Sequence, residues 1–254
     1  MRTYVVGAVV GVLLLSGCDD RSEASSGVGE GLGRAPSVDA SPSSSPSAPA
    51  AKDELVAALN KTQHGTYSYA VRGALPEKQR VEASGSFDPK AKKFKTTVKT
   101  LGGKNPSTLQ RIVIGNDMYD KQAGSNVWAH LDMKRIKKYD YLRVDMTDPT
   151  GLGTFIKAVV TARSSGPHTY QGTFETTPAD SDEFLPIGAP SIVVFGGSGD
   201  YRATTDAQGR VSRIDITLTA KETLKMTTTF NGMGQPPAIS KPKRTGEVDS
   251  FYYE

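Results

Sequence analysis

Three scarcities narrow what this 254-residue chain can be. It has one cysteine, which excludes an intramolecular disulfide, a CxxC redox pair and a cysteine-based zinc cage. It has three histidines, His64, His130 and His168, with no i, i+4 pair and no HExxH, so no metal site is expected. Net charge is small: Lys+Arg 31 against Asp+Glu 27 leaves +4, too little for a nucleic-acid binder. The glycine-rich stretches Gly151-Leu152-Gly153 and Gly196-Gly197-Ser198-Gly199 lack a Walker lysine and a βαβ setting. Ser198 has no motif that supplies a His/Asp partnership. Asp180, Asp182 and Glu183 sit in a polar stretch and read as a solvated loop. No catalytic residue and no cofactor is expected, and the chain reads as a non-enzyme.

What is present begins at the N-terminus. Arg2 precedes an apolar run from Tyr4 to Leu15. That run is too short to span a bilayer and has the length of a signal-peptide h-region. It ends in Leu15-Ser16-Gly17-Cys18, which resembles the lipobox of bacterial lipoprotein signal peptides. The resemblance implies cleavage between Gly17 and Cys18 and a diacylglycerol on the Cys18 thiol. The sole cysteine of the chain stands where that chemistry needs it. Residues 1–17 are thus expected to be removed, and a membrane held through the lipid anchor becomes the first partner.

Residues 18–50 follow as lipidated cysteine plus linker. Ser, Ala, Gly and Pro dominate, most densely in Ser41–Pro49, and no apolar periodicity exists. The flexible residues 19–50 would span roughly 30 Å. Their charge is −3; with that and Arg2 set aside, residues 51–254 carry +6. Two basic clusters, Lys90–Lys95 and Lys134–Lys138, read as solvated faces or as contacts for anionic headgroups or cell-wall polymer.

Residues 51–254 read as one β-rich domain. Leu55, Val56, Ala58 and Leu59 give a helix over 51–63, with Asp53 and Glu54 at its N-terminus and Gly65 after its end. Alternation predicts strands at 66–73, 79–87, 92–101, 109–114, 118–121 and 126–130. Asp148-Pro149 predicts a helix start. Leu152, Phe155, Ile156, Val159 and Val160 supply its apolar stripe, and Ser165-Gly166-Pro167 its stop. Strands resume at 168–176, 200–205, 210–219 and 222–231. The class is α+β, mainly β: a curved antiparallel half-barrel with a few helices over its concave mouth. One helix covers a sheet of this size only in part, which leaves room for a cavity.

Several segments resemble the actinobacterial LppX/LprG-type surface lipoproteins, whose fold is shared with the LolA and LolB lipid carriers. They are Gly85–Asp88, Asp117–Asp120 with Val127-Trp128, Asp206–Ile214 and Phe230–Ile239. The resemblance implies a half-barrel with helices in its mouth, and some members carry lipids or glycolipids. Residues 180–199 do not align with the pattern, and line the cavity, close it, or merely pack. Tyr69, Phe94, Ile112, Ile114, Trp128, Phe155, Ile156, Val159, Ile216, Met226 and Phe230 are core residues first and candidate lining of an apolar ligand second. The expectation is a monomeric lipoprotein on the extracytoplasmic face of the cell membrane, with a lipid or glycolipid ligand. The alternative is an envelope interaction module whose sheet is filled by its own side chains.

Overall fold

The computed structural model describes residues 48–104, 106–136, 143–176, 184–190, 197–219 and 222–253. Gly17, Cys18 and the linker to residue 47 lie outside them, as do Lys137, Lys138, Asp180, Asp182 and Glu183.

Alternating side chains build the first half. Strands β1 (Tyr67–Leu75), β2 (Gln79–Asp88), β3 (Lys93–Leu101), β4 (Ser107–Ile114), β5 (Asp117–Gln122) and β6 (Trp128–Asp132) form an antiparallel meander. A second meander holds β7 (Arg163–Gly166), β8 (Thr169–Thr176), β9 (Gly197–Thr205), β10 (Val211–Thr219) and β11 (Thr223–Asn231). Pairing of β1 with β11 fuses the two, and β12 (Thr245–Glu247) adds parallel to β6. The result is one 12-stranded sheet, curved and unclosed, in the order β12-β6-β5-β4-β3-β2-β1-β11-β10-β9-β8-β7.

The inner face follows from register. Tyr67 lies opposite Phe87, Phe87 opposite Phe94 and Phe94 opposite Val113; on the other side Tyr69 lies opposite Phe230. These rings interlock edge to face, with Tyr67 centred 5.7 Å from Phe87 and 5.4 Å from Phe230. The buried hydroxyls have partners: Tyr67 Oη with Thr150 Oγ1 at 3.0 Å, and Tyr69 Oη donating to Thr96 Oγ1 at 2.9 Å. Burial pushes both tyrosines above their ordinary range, so they stay neutral. Gly85 makes room for Tyr69: a Cβ there would collide with the Tyr69 hydroxyl and the Lys95 carbonyl.

Helix α1 (Ala48–Gln63) buries Ala51, Leu55, Ala58 and Leu59. It starts before residue 51, which leaves Asp53 and Glu54 beyond its first turn instead of at its N-terminus. Thr62 donates from Oγ1 to Ala58 O and accepts from the Val211 N–H, tying the helix end to β10. Helix α2 (Leu152–Ala158) is shorter than the apolar stripe predicts. Asp148 is not the residue next to its first turn, and Pro149 is not helical; a turn over 145–151 intervenes. Asp148 still serves the helix, accepting from the N–H groups of Gly153 at 2.9 Å and Thr154 at 2.8 Å. The helix ends because Val159 turns extended, after which Val160 and Thr161 donate to Thr173 O. Consecutive β-branched residues favour that conformation. Val160 is therefore 42% exposed, and Ser165-Gly166 belongs to β7 rather than to a helix stop. The two helices touch each other and lie against β7, β8 and β10.

The chain after β11 straps the outer face. Ile239 seats against Ile112 and Tyr119, Trp128 N–H donates to Arg244 O, and β12 pairs with β6. His130 locks this strap, with Nδ1 2.8 Å from Glu247 and Nε2 2.8 Å from Asp117. Partial burial lowers its pKa, but the hydrogen bonds and charges of the two carboxylates outweigh that and hold it above the ordinary 6.5. A raised folded-state pKa means the folded chain binds the proton more tightly than the unfolded chain. The stabilisation is complete below about pH 6.5 and is lost as pH rises through the raised value. Thermal melts across this range are expected to fall in the wild type. His130→Gln should remove this component of the fall, and an unchanged slope would contradict the lock.

Candidate functional site

The inner face is covered unevenly. Over β1 and β11 the segment 184–190 lies on the sheet: Phe184, Leu185, Ile187 and Ala189 are buried, and Thr228 Oγ1 donates to Ile187 O. Within 180–199 this described portion closes the centre of the concavity; Ile192–Phe195 lie outside the described residues. Over β7–β10, Phe155 of α2 fills the space, its ring centred 5.9 Å from Phe174 and 5.5 Å from Tyr201.

The β3–β6 wing differs. Near the turns joining its strands Phe94, Val113, Met118 and Leu131 are buried. Toward the opposite end the inner face stays half-open, with Val98, Leu109 and Ala129 intermediate in exposure. Val98 and Leu109 are register partners. Beside them Arg111 meets Asp120 in a bidentate pair, Nε to Oδ1 at 2.7 Å and Nη2 to Oδ2 at 2.6 Å. About a fifth of each side chain stays exposed, 23% and 21%. A guanidinium held in this fork is a fixed donor array, able to share carboxylate or phosphate oxygens. The wing therefore offers an apolar floor with one polar, charge-balanced station.

Sequence-predicted residues fall in two places. Tyr69, Phe94, Phe155, Val159, Ile216, Met226 and Phe230 are buried in the main interior, with Ile156 partly buried against it. Ile112, Ile114 and Trp128 are not there: they form a separate cluster with Tyr119 and Ile239 on the outer face. The correction is one of parity. Val113 pairs with Phe94 and points inward, so its neighbours Ile112 and Ile114 point outward. Three consecutive apolar residues hide which face is which. Arg111–Asp120 was missed, although a signal exists: a hairpin turning at Gly115-Asn116 places these two residues opposite one another.

A second concavity of about 520 Å³ lies on the outer side of β7–β10, bordered by Thr161, Arg163, Gln171, Asp200, Arg202 and Asp215. Part of its charged border is paired. Asp215 accepts from Arg213 twice at 2.7 Å and from Thr227. Burial raises the Asp215 pKa, but these bonds outweigh it and hold the carboxyl below its usual range. Among the described residues no group of His, Cys, Asp and Glu is placed to hold a metal ion. No helix among them is long and apolar enough to cross a membrane.

No protein-family model matches the chain, and no curated protein matches it. Solved structures do. LprF from Mycobacterium bovis is 18% identical, with 78% of this chain and 99% of that one covered and a TM-score of 0.50. The lipoprotein LppX from Mycobacterium tuberculosis is 13% identical, with 76% and 100% covered and a TM-score of 0.47. The likeness to LprF shows the fold: a large curved, unclosed sheet that the strand topology described above builds.

Proposed function

From an LprF-like fold, we propose that this chain is an extracytoplasmic lipoprotein that holds an apolar ligand of lipid type on the open wing of its inner face. Cys18, lipidated after cleavage behind Gly17, anchors it to the cell membrane, and residues 19–47 tether the folded part. The observation that carries the ligand reading is the half-open apolar floor of Val98, Leu109 and Ala129 beside the Arg111–Asp120 pair. Acyl chains laid on that floor leave water at about 25 cal/mol per Å², less the cost of ordering them. A carboxylate or phosphate headgroup meets the guanidinium of Arg111. The interlocked rings around Tyr67 and Tyr69 favour the second reading, a filled module without ligand, for the centre of the sheet but not for this wing.

The test is uptake of a fluorescent fatty acid by the full chain in detergent micelles. Leu109→Glu places a carboxylate on the floor and is expected to weaken uptake at least about tenfold, since an unpaired charge facing acyl chains is costly. Leu109→Met should bind as the wild type does. Equal uptake by Leu109→Glu, or none by the wild type, would overturn the wing as the binding site.

A further inference from the structure

The described parts of the two basic clusters stand apart in the chain and meet in the fold. Lys90 and Lys92 occupy the turn between β2 and β3, and Lys134 and Arg135 the turn after β6. The Gly115-Asn116 turn between β4 and β5 joins them. Gly115 N–H donates to Lys92 O at 2.9 Å, and Met133 N–H donates to Asn116 O at 2.9 Å. All four basic side chains are exposed.

Three nearby carboxylates are engaged in local structure. Asp88 accepts from the Ala91 N–H, Asp132 from the Lys134 N–H, and Asp117 is held by His130. Among the described residues Lys90, Lys92 and Lys134 form no ion pair. Glu247, the other partner of His130, is held in the same way, and Asp249, two residues on, is exposed.

The C-terminal turn Ser250–Tyr253 adds aromatic surface at the same end. Tyr253 Oη accepts from the Asp132 N–H, and the Arg135 guanidinium lies 4.0 Å from the Tyr253 ring centre. Phe251 packs at a tilt against Tyr252 with ring centres 4.1 Å apart and is still 48% exposed. An exposed phenyl next to tyrosines and lysines has the composition of a membrane-interface anchor.

We propose that this end of the sheet docks the folded domain on an anionic bilayer surface, with Lys90, Lys92, Lys134 and Arg135 over the headgroups and Phe251 dipping between them. Lysines alone would suit any polyanion. The exposed Phe251 favours a bilayer, because only a bilayer offers hydrocarbon beneath the charge. Docking is separate from the lipid anchor and from the ligand: anchorage through Cys18 permits the domain to stand off, and the wing lies on the inner face.

The experiment uses the full lipidated chain in vesicles, with Trp128→Phe and Phe251→Trp making residue 251 the only tryptophan. In phosphatidylglycerol-containing vesicles at low salt, emission should shift to the blue and be quenched by brominated lipid. In phosphatidylcholine vesicles, where the anchor is equally inserted, neither should occur. Each lysine replaced by alanine should weaken docking about fivefold, so the triple variant at 90, 92 and 134 should weaken it roughly a hundredfold. Energy transfer from native Trp128 to a dansyl headgroup gives the same readout without altering Phe251. Identical emission in both lipids, or a triple variant that behaves like its parent, would overturn the proposal. So would a response to soluble polyglutamate without one to anionic vesicles, which would make the surface a site for an anionic polymer.

Discussion

Phe155→Ala is expected to destabilise the folded domain by about 3–5 kcal/mol, the range for removing a fully buried phenyl ring. The size follows from what the ring holds together. Helix α2 has seven residues, too few to persist alone. Phe155 is its largest buried side chain and contacts Phe174 of β8, Tyr201 of β9 and Phe184 of the segment over the sheet centre. Removing it opens a cavity among three rings that belong to three different segments, so no single neighbour can move to fill it. Urea unfolding is the measurement. The midpoint should fall while the slope stays unchanged, since the unfolded chain exposes nearly the same area. A loss under about 1 kcal/mol would show that α2 is not pinned through this ring.

Cys18→Ser is expected to abolish fatty-acylation of the chain. The proposed anchor is a thioether from this thiol to a diacylglycerol, and no second cysteine can substitute. A single acyl chain holds a protein only marginally at a membrane, whereas two or more hold it firmly. Loss of the modification should therefore also loosen the association with membranes. Metabolic labelling with an alkyne fatty acid, read on the purified chain, decides the point. Label at wild-type level in Cys18→Ser would contradict the assignment of Leu15-Ser16-Gly17-Cys18 as a lipobox.

The parts of the fold that were legible in the sequence are those where one physical signal acts alone. Strands β1, β2, β3, β10 and β11 alternate cleanly between apolar and polar residues, and their spans match expectation within a few residues. The break between the strands expected at 109–114 and 118–121 places the β4–β5 turn. The signal failed where two preferences compete. In the stripe from Leu152 to Val160 a helical period overlies a β-branched run, and the run wins from Val159 onward. Strand β4 carries apolar residues on both faces because the C-terminal strap covers its outer side, so the alternation that assigns faces is erased there. That strap was illegible for a further reason. Strand β12 has three residues, pairs in parallel, and is positioned by Ile239 and the His130–Glu247 contact rather than by any pattern of its own.

The candidate site divides the same way. Alternation points to an apolar inner face, and buried apolar side chains such as Phe94, Val113 and Met226 lie on it. Which part of that face is open depends on coverage by segments distant in sequence: 184–190 over β1 and β11, and α1 and α2 over β7, β8 and β10. No local pattern encodes such coverage. The Arg111–Asp120 pair needed hairpin register, a pairwise property, before it could be seen.

The most direct measurement is native mass spectrometry of the full chain extracted from host membranes in mild detergent. Beyond the mass of the anchored chain, an adduct of lipid mass is expected that disappears after organic extraction and is absent from Leu109→Glu. A bare anchored mass, with no adduct on the wild-type chain, would contradict the claim that the open wing holds an apolar ligand.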